Sequence, residues 1–144
     1  MKYVLQFNQL LPTLNQTKRM NIWALKSLKK KWQKWIKAEL VYRNYKFPEP
    51  LKKAKITIKR YSTKSPDYDN MVGGWKEFID LFTTPKLEAN GHVRNKYGLG
   101  IVVDDSPEHL KVVYEWTQAR VVDQKTIVEI EPLWYATQLS TISK

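Results

Sequence analysis

None of the 144 residues is cysteine. That excludes a disulfide framework, a thiolate zinc site and a cysteine nucleophile, and it fits a reducing compartment. No apolar run approaches the ~20 residues of a membrane-spanning helix. Residues 1–11 carry Lys2 but interrupt their apolar positions with Gln6, Asn8 and Gln9, so they do not form the core of a signal peptide. Acids are missing from the first 38 residues, the first being Glu39. Neither an internal repeat nor a linker divides the chain. The expectation is one soluble domain over residues 1–144, cytoplasmic, with no membrane partner and no small-molecule cofactor.

The formal net charge is +11, with 25 Lys plus Arg and 14 Asp plus Glu. It is unevenly divided. Residues 1–64 hold 17 basic side chains against Glu39 and Glu49, a net of +15, whereas residues 65–144 hold 8 basic and 12 acidic ones, a net of −4. A basic field of that size attracts polyanions, of which phosphate backbones are the commonest inside cells. DNA, ribosomal RNA and an anionic membrane surface all satisfy it, and so does a plain solvated surface. Hydrophobic residues make up 42% of the chain, with six Trp and eight Tyr, enough for a packed core and against disorder.

Periodicity then places the elements. KYVLQF at residues 2–7 alternates as an opening strand, and Pro12 stops it. Residues 21–45 read as one long helix. Leu25, Leu28, Trp32, Trp35, Ile36 and Leu40 form its apolar stripe, with Lys26, Lys29, Lys30, Lys34 and Lys37 largely off it. The same pattern suits a membrane-surface helix, although a small domain needs those tryptophans in its core. Pro48 and Pro50 end the segment. AKITIKRY at 54–61 predicts a strand with Ile56 and Ile58 inward and Lys55 and Lys59 outward. A second helix is predicted over 71–82, an exposed loop or hairpin tip over 83–97 around Asn90-Gly91, and further strands over 110–118 and 126–131. The apolar run 99–103 ends on Asp104-Asp105, and Ser106-Pro107-Glu108 has the composition of a helical turn's start. The last dozen residues lack periodicity. The order β-α-β-α-β-β gives an α/β (α+β) domain with a mixed sheet covered by two main helices.

Four carboxylates invite a chemical reading. Asp67 and Asp69 alternate, so an extended SPDYDN segment would point both the same way. Asp104 and Asp105 would arrive at a strand tip. Convergent carboxylates need a counter-cation, and hard oxygen ligands select Mg²⁺ or Mn²⁺. Such an ion beside a phosphate is an arrangement for hydrolysis. Three of the acids also have ordinary structural uses: Asp69 or Asn70 as a helix N-cap, Asp105 or Ser106 as the cap of the next turn, and Asp104 in a loop. Gly73-Gly74 costs a helix roughly 1 kcal/mol per residue relative to alanine, which points to close approach by another backbone or a ligand strand. Lys76 either pairs with Asp80 or holds a phosphate.

Asp67-Tyr68-Asp69-Asn70, followed by a helix and then by Gly100-Ile101-Val102-Val103-Asp104-Asp105, resembles the RusA-type Holliday-junction resolvases, small endonucleases common in bacteriophages and prophages. Leu11-Pro12-Thr13-Leu14-Asn15 before a long helix is similar to their N-terminal segment. The resemblance covers most of residues 2–131, and the two acidic motifs are its specific part. It implies a homodimeric, Mg²⁺-dependent endonuclease in a bacterial cytoplasm that cuts four-way DNA junctions symmetrically. By that resemblance Asp67, Asp69 and Asp105 are the catalytic metal-binding acids, with Asp104 as a supporting neighbour. The family helix often has a lysine four residues after the second Asp, where this chain has Gly73, so Lys76 is the substitute one turn later. The segment 83–97 is longer than the family's link, which bears on substrate choice. Lys26, Lys29, Lys30, Lys34, Lys37, Lys59 and Arg60 are the expected DNA-tracking residues. His92 and His109 are given no catalytic part. A non-catalytic nucleic-acid-binding module and a phage nuclease for other branched DNA are the competing readings.

Overall fold

A computed structural model describes residues 2–133. Its elements run β1 (Tyr3–Phe7), α1 (Leu14–Lys18), α2 (Ile22–Tyr42), β2 (Ala54–Ser62), α3 (Tyr68–Asp80), β3 (Lys86–Leu87), β4 (Val93–Arg94), β5 (Leu110–Gln118), a 3-10 turn (Val121–Asp123) and β6 (Lys125–Pro132). Four strands form one mixed sheet in the order β1-β6-β2-β5, with β2 and β5 parallel and the other pairs antiparallel. The fold is one α+β domain, as the element order predicts.

The register explains why the strands alternate as they do. Leu5, Val128, Ile58 and Tyr114 form one row across the sheet, and Tyr3, Ile130, Ile56 and Val112 form the next. Both rows belong to the face against which the helices pack. Residues one step out of phase face the other way, where Lys59 Nζ lies 3.2 Å from Glu129 and Lys2 Nζ 3.7 Å from it. A slip of one residue would exchange the two faces, so the apolar alternation fixes the pairing.

The second layer is held to the sheet by aromatic contact. Trp32 of α2 meets Phe7 of β1 at 5.5 Å and Phe78 of α3 at 5.0 Å between ring centroids, and Phe78 meets Phe82 at 5.1 Å. Trp32 retains 3% of its surface and Ile36 none. Each such burial contributes roughly 1.5–3 kcal/mol. Asn21 caps α2 by accepting from the Ala24 N–H at 2.8 Å. The helix ends three residues before periodicity alone predicts. Asn44 turns left-handed at φ 57°, and the Tyr45 and Asn44 N–H groups return to the Leu40 and Val41 carbonyls. Tyr45 keeps the apolar pattern going because it folds back onto Tyr3 at 5.0 Å.

Sequence and structure part in three further places. A short helix, α1, precedes α2 and is tied to α3 by the Asn15 N–H donating to Asn70 Oδ1 at 2.9 Å. Residues 67–70 are not extended: Asp67 is the N-cap residue of α3 and Asp69 lies in its first turn, so the two side chains do not share a direction. The run 99–103 is not a strand either. It wedges between two segments, with Val102 bridging both Leu51 and Thr83, and Gly100 turns at φ 69°. Ile101 and Val102 are buried there, which is why the run is apolar without alternating. Residues 83–97 form the β3-β4 hairpin, whose turn uses Gly91 at φ 84°. Ser106 to His109 make a single turn, the Ser106 carbonyl accepting from the His109 and Leu110 N–H groups at 2.9 Å each. The aperiodic end of the chain falls, from residue 134, outside the described residues.

The two sheet edges differ. On β1 the Gln6 N–H donates to Glu39 Oε1 of α2 at 2.8 Å, and the Val4 N–H donates to the Tyr45 hydroxyl at 3.3 Å. Among the described residues no strand lies beyond β5.

Candidate functional site

The C-terminal end of α3 is where the chain gathers its polar groups. After Asp80 the backbone leaves the helix, and the Phe82 carbonyl accepts from the N–H groups of Ile101 and Val102 at 3.0 and 2.9 Å. This stitch lays residues 81–84 alongside 99–105 and carries Asp104 and Asp105 to the end of the helix. Asn95, at φ 57°, donates through Nδ2 to the Asp80 carbonyl at 2.8 Å and to Thr83 Oγ1 at 2.7 Å. Gly98 lies so close beneath that a Cβ there would collide with the Thr83 carbonyl oxygen. Gln33 of α2 donates to the Tyr97 carbonyl at 2.9 Å and anchors the hairpin's return.

The result is a cleft of about 320 Å³ lined by Lys29, Lys76, Asp80, Thr83, Thr84, Lys86, Arg94, Asn95, Asp104 and Asp105. Four cations face three carboxylates. Burial raises the Asp80 carboxyl above the ordinary range; Glu77 and Asp105 add to this by charge repulsion, and Lys29 and Lys76 oppose it. Asp104 behaves oppositely. Burial pushes it up, but hydrogen bonds from the Asp105 backbone and from Lys86, whose Nζ is 3.2 Å away, outweigh burial and hold it below the ordinary value. Lys29 pairs with Glu77 at 2.7 Å on the rim. Lys76 acts on Asp80 by charge, without an ion pair between them among the described residues. Such a cleft offers cations to an anionic ligand and unequal carboxylates to a proton.

The residues singled out in the sequence fall into three groups. Asp104, Asp105 and Lys76 share the cleft. Asp67 and Asp69 stand at the other end of α3, exposed, with Asp69 about 16 Å from Asp80 along the helix axis. Among the described residues no group of three or more His, Asp or Glu side chains stands close enough to hold a metal ion. Asp67, Asp69 and Asp105 as placed therefore do not fit one shared Mg²⁺. Gly73 has a packing use: a Cβ there would come within 2.7 Å of Leu14 Cδ2, so α1 occupies the space a family lysine would need.

The basic residues divide too. Lys30, Lys34 and Lys37 are exposed on the outer face of α2, and Lys26 is half-exposed beside them. Lys59 is drawn to Glu129, and Arg60 donates through Nη1 to the Leu11 carbonyl at 2.7 Å in a half-buried position. His109 Nδ1 lies 2.8 Å from the Lys52 carbonyl oxygen, and neither histidine lines the cleft. Lys86, Arg94 and Asp80 as a cleft acid are what sequence reasoning missed. An acid in the last turn of a helix, where the dipole opposes it, was the available signal for Asp80.

The architecture is thus an α+β domain with an acid-bearing, cation-rimmed cleft at one end of its second long helix. Comparison with protein-family models, with curated proteins and with solved structures finds no match to this chain. No helix among the described residues is long and apolar enough to cross a membrane.

Proposed function

We propose that the protein is a Mg²⁺-dependent endonuclease of branched DNA, with the four-way junction as its substrate, acting as a homodimer. The observation that carries this reading is the placement of Asp104-Asp105, one of the two acidic motifs, in a cleft walled by Lys29, Lys76, Lys86 and Arg94. Acids in a basic domain repel the phosphates that its other residues attract, so gathering them between cations favours chemistry on a phosphodiester over binding alone. Among the described residues the carboxylates as placed do not converge on one ion. Lys30, Lys34 and Lys37 track phosphates along α2. Lys76, Lys86 and Arg94 hold the phosphate entering the cleft and offset the charge that builds on its oxygens. Asp105, exposed at the cleft mouth, accepts the proton of an attacking water, whose oxygen bonds to phosphorus as the bond to one deoxyribose oxygen breaks, and that leaving oxygen takes a proton from solvent. Two copies about a two-fold axis match the symmetry of a junction.

A second reading, a nucleic-acid-binding module without cleavage, is favoured by the distance between Asp69 and the cleft. The experiment offers a synthetic four-way junction, a fork and a linear duplex to the wild type and Asp105→Asn, with and without Mg²⁺ or Mn²⁺. Junction cleavage by the wild type alone, and only with the cation, supports the nuclease. Tight binding without cleavage in either cation leaves the second reading. Absence of binding to all three overturns both.

A further inference from the structure

The outer face of α2 carries a feature that phosphate tracking does not explain. At 3.6 residues per turn, Trp23, Lys26, Lys30, Lys34 and Lys37 fall in one stripe about 80° wide, diametrically opposite the buried Trp32. Trp23 heads this stripe with 75% of its surface exposed, and Lys26 Nζ lies 5.3 Å from its ring centroid. An indole this open gains nothing for the core. Its position is also the end of α2 at which the helix dipole is positive, and no acid precedes it in the chain. Aromatic faces set in a cationic track are how proteins hold unpaired bases, by stacking on the base while lysines follow the backbone.

We propose that Trp23 is a stacking platform for an unpaired nucleotide, with Lys26, Lys30, Lys34 and Lys37 guiding the attached strand over about 21 Å of helix. This rests on the reading of DNA as the ligand and adds which part of a branched molecule the domain recognises: the unpaired base at the branch or on a single-stranded arm. Charge complementarity selects nucleic acid as the occupant. A lipid surface would need the broad apolar face of α2, and that face is engaged with the core, with Trp32 and Ile36 buried and Leu28, Trp35 and Leu40 half-buried against it.

The test compares wild type, Trp23→Ala and Trp23→Phe on a fork carrying 2-aminopurine at its first unpaired position and on a linear duplex of equal length. Removing a side chain this exposed leaves the core untouched. Trp23→Ala is expected to weaken fork binding about 5- to 100-fold and to abolish the quenching of 2-aminopurine. Duplex affinity and its salt dependence stay within about twofold, and Trp23→Phe restores most of the difference. Equal effects on fork and duplex, or none on either, overturn the stacking role while leaving DNA binding standing. Loss of binding to phosphatidylserine vesicles in Trp23→Ala, with DNA binding unchanged, overturns it in favour of a membrane contact. Failure of the wild type to bind fork, duplex and junction alike removes the functional reading itself.

Discussion

The two ends of α3 hold carboxylates under opposite physical conditions. At its start Asp67 and Asp69 are exposed beside the first N–H groups of the helix and the positive end of the dipole, where acids are welcome. At its finish Asp80 is half-buried at the negative end, with Asp104 and Asp105 close by. The helix alone accounts for the first pair. It argues against the three at its finish, which are held by cations and by the stitch to residues 99–105. Carboxylates held among cations at the negative end of a helix are the better candidates for chemistry.

The largest expected effect would break that contrast or confirm it. Asp105→Asn should lower junction cleavage about 100-fold or more with binding retained, and Asp69→Asn should lower it far less. Equal losses in the two variants would mean that both ends of α3 serve one site in the DNA complex. Next, Gly98→Ala forces a methyl against the Thr83 carbonyl and should destabilise the domain by about 1–3 kcal/mol in chemical denaturation. An unchanged midpoint would show that the cleft end of α3 is not rigid.

Gly73 tests the opposite end. In the wild type, Gly73→Ala gains about 1 kcal/mol of helix propensity but must displace Leu14. In a Leu14→Ala background the same substitution should be more stabilising by about 0.5–1 kcal/mol, a non-additivity that a double-mutant cycle reads directly. Smallest is the pH dependence of Asp80. Its folded value lies above the ordinary one, so its contribution to stability is fully present below the ordinary carboxylate value and is lost as pH rises through the raised value. Asp80→Asn should therefore raise Tm slightly at about pH 7.5, and the gain should vanish near about pH 3.5. A gain that persists in acid would place its cause outside ionisation.

Periodic elements were legible wherever one face is buried. Ile56 and Ile58 against Lys55 and Lys59, or Trp32 and Ile36 against Lys30 and Lys34, report burial residue by residue. The run 99–103 misled because a segment packed between two others is apolar throughout and shows no period. The start of α3 misled because Asp and Asn fit both a turn and a cap, and local sequence does not choose between them. The cleft was legible only in part. Asp104, Asp105 and Lys76 announce themselves as motif and charge, but Lys86 and Arg94 reach them through a hairpin whose placement depends on Thr83, Val102 and Asn95, contacts that no spacing encodes.

The unequal edges of the sheet set how far this molecule can assemble through its backbone. Strand addition needs free N–H and C=O groups, and on β1 the Gln6 and Val4 N–H groups are already taken by Glu39 and Tyr45. Of the two edges of the four-stranded sheet, β5 is the one without such side-chain partners among the described residues. Two copies joined there would bury both open edges and show a closed one at each end, so sheet growth stops at two. The side chains that guard β1 thus act as chain terminators, separating a pairing that closes from one that would run on into a fibril.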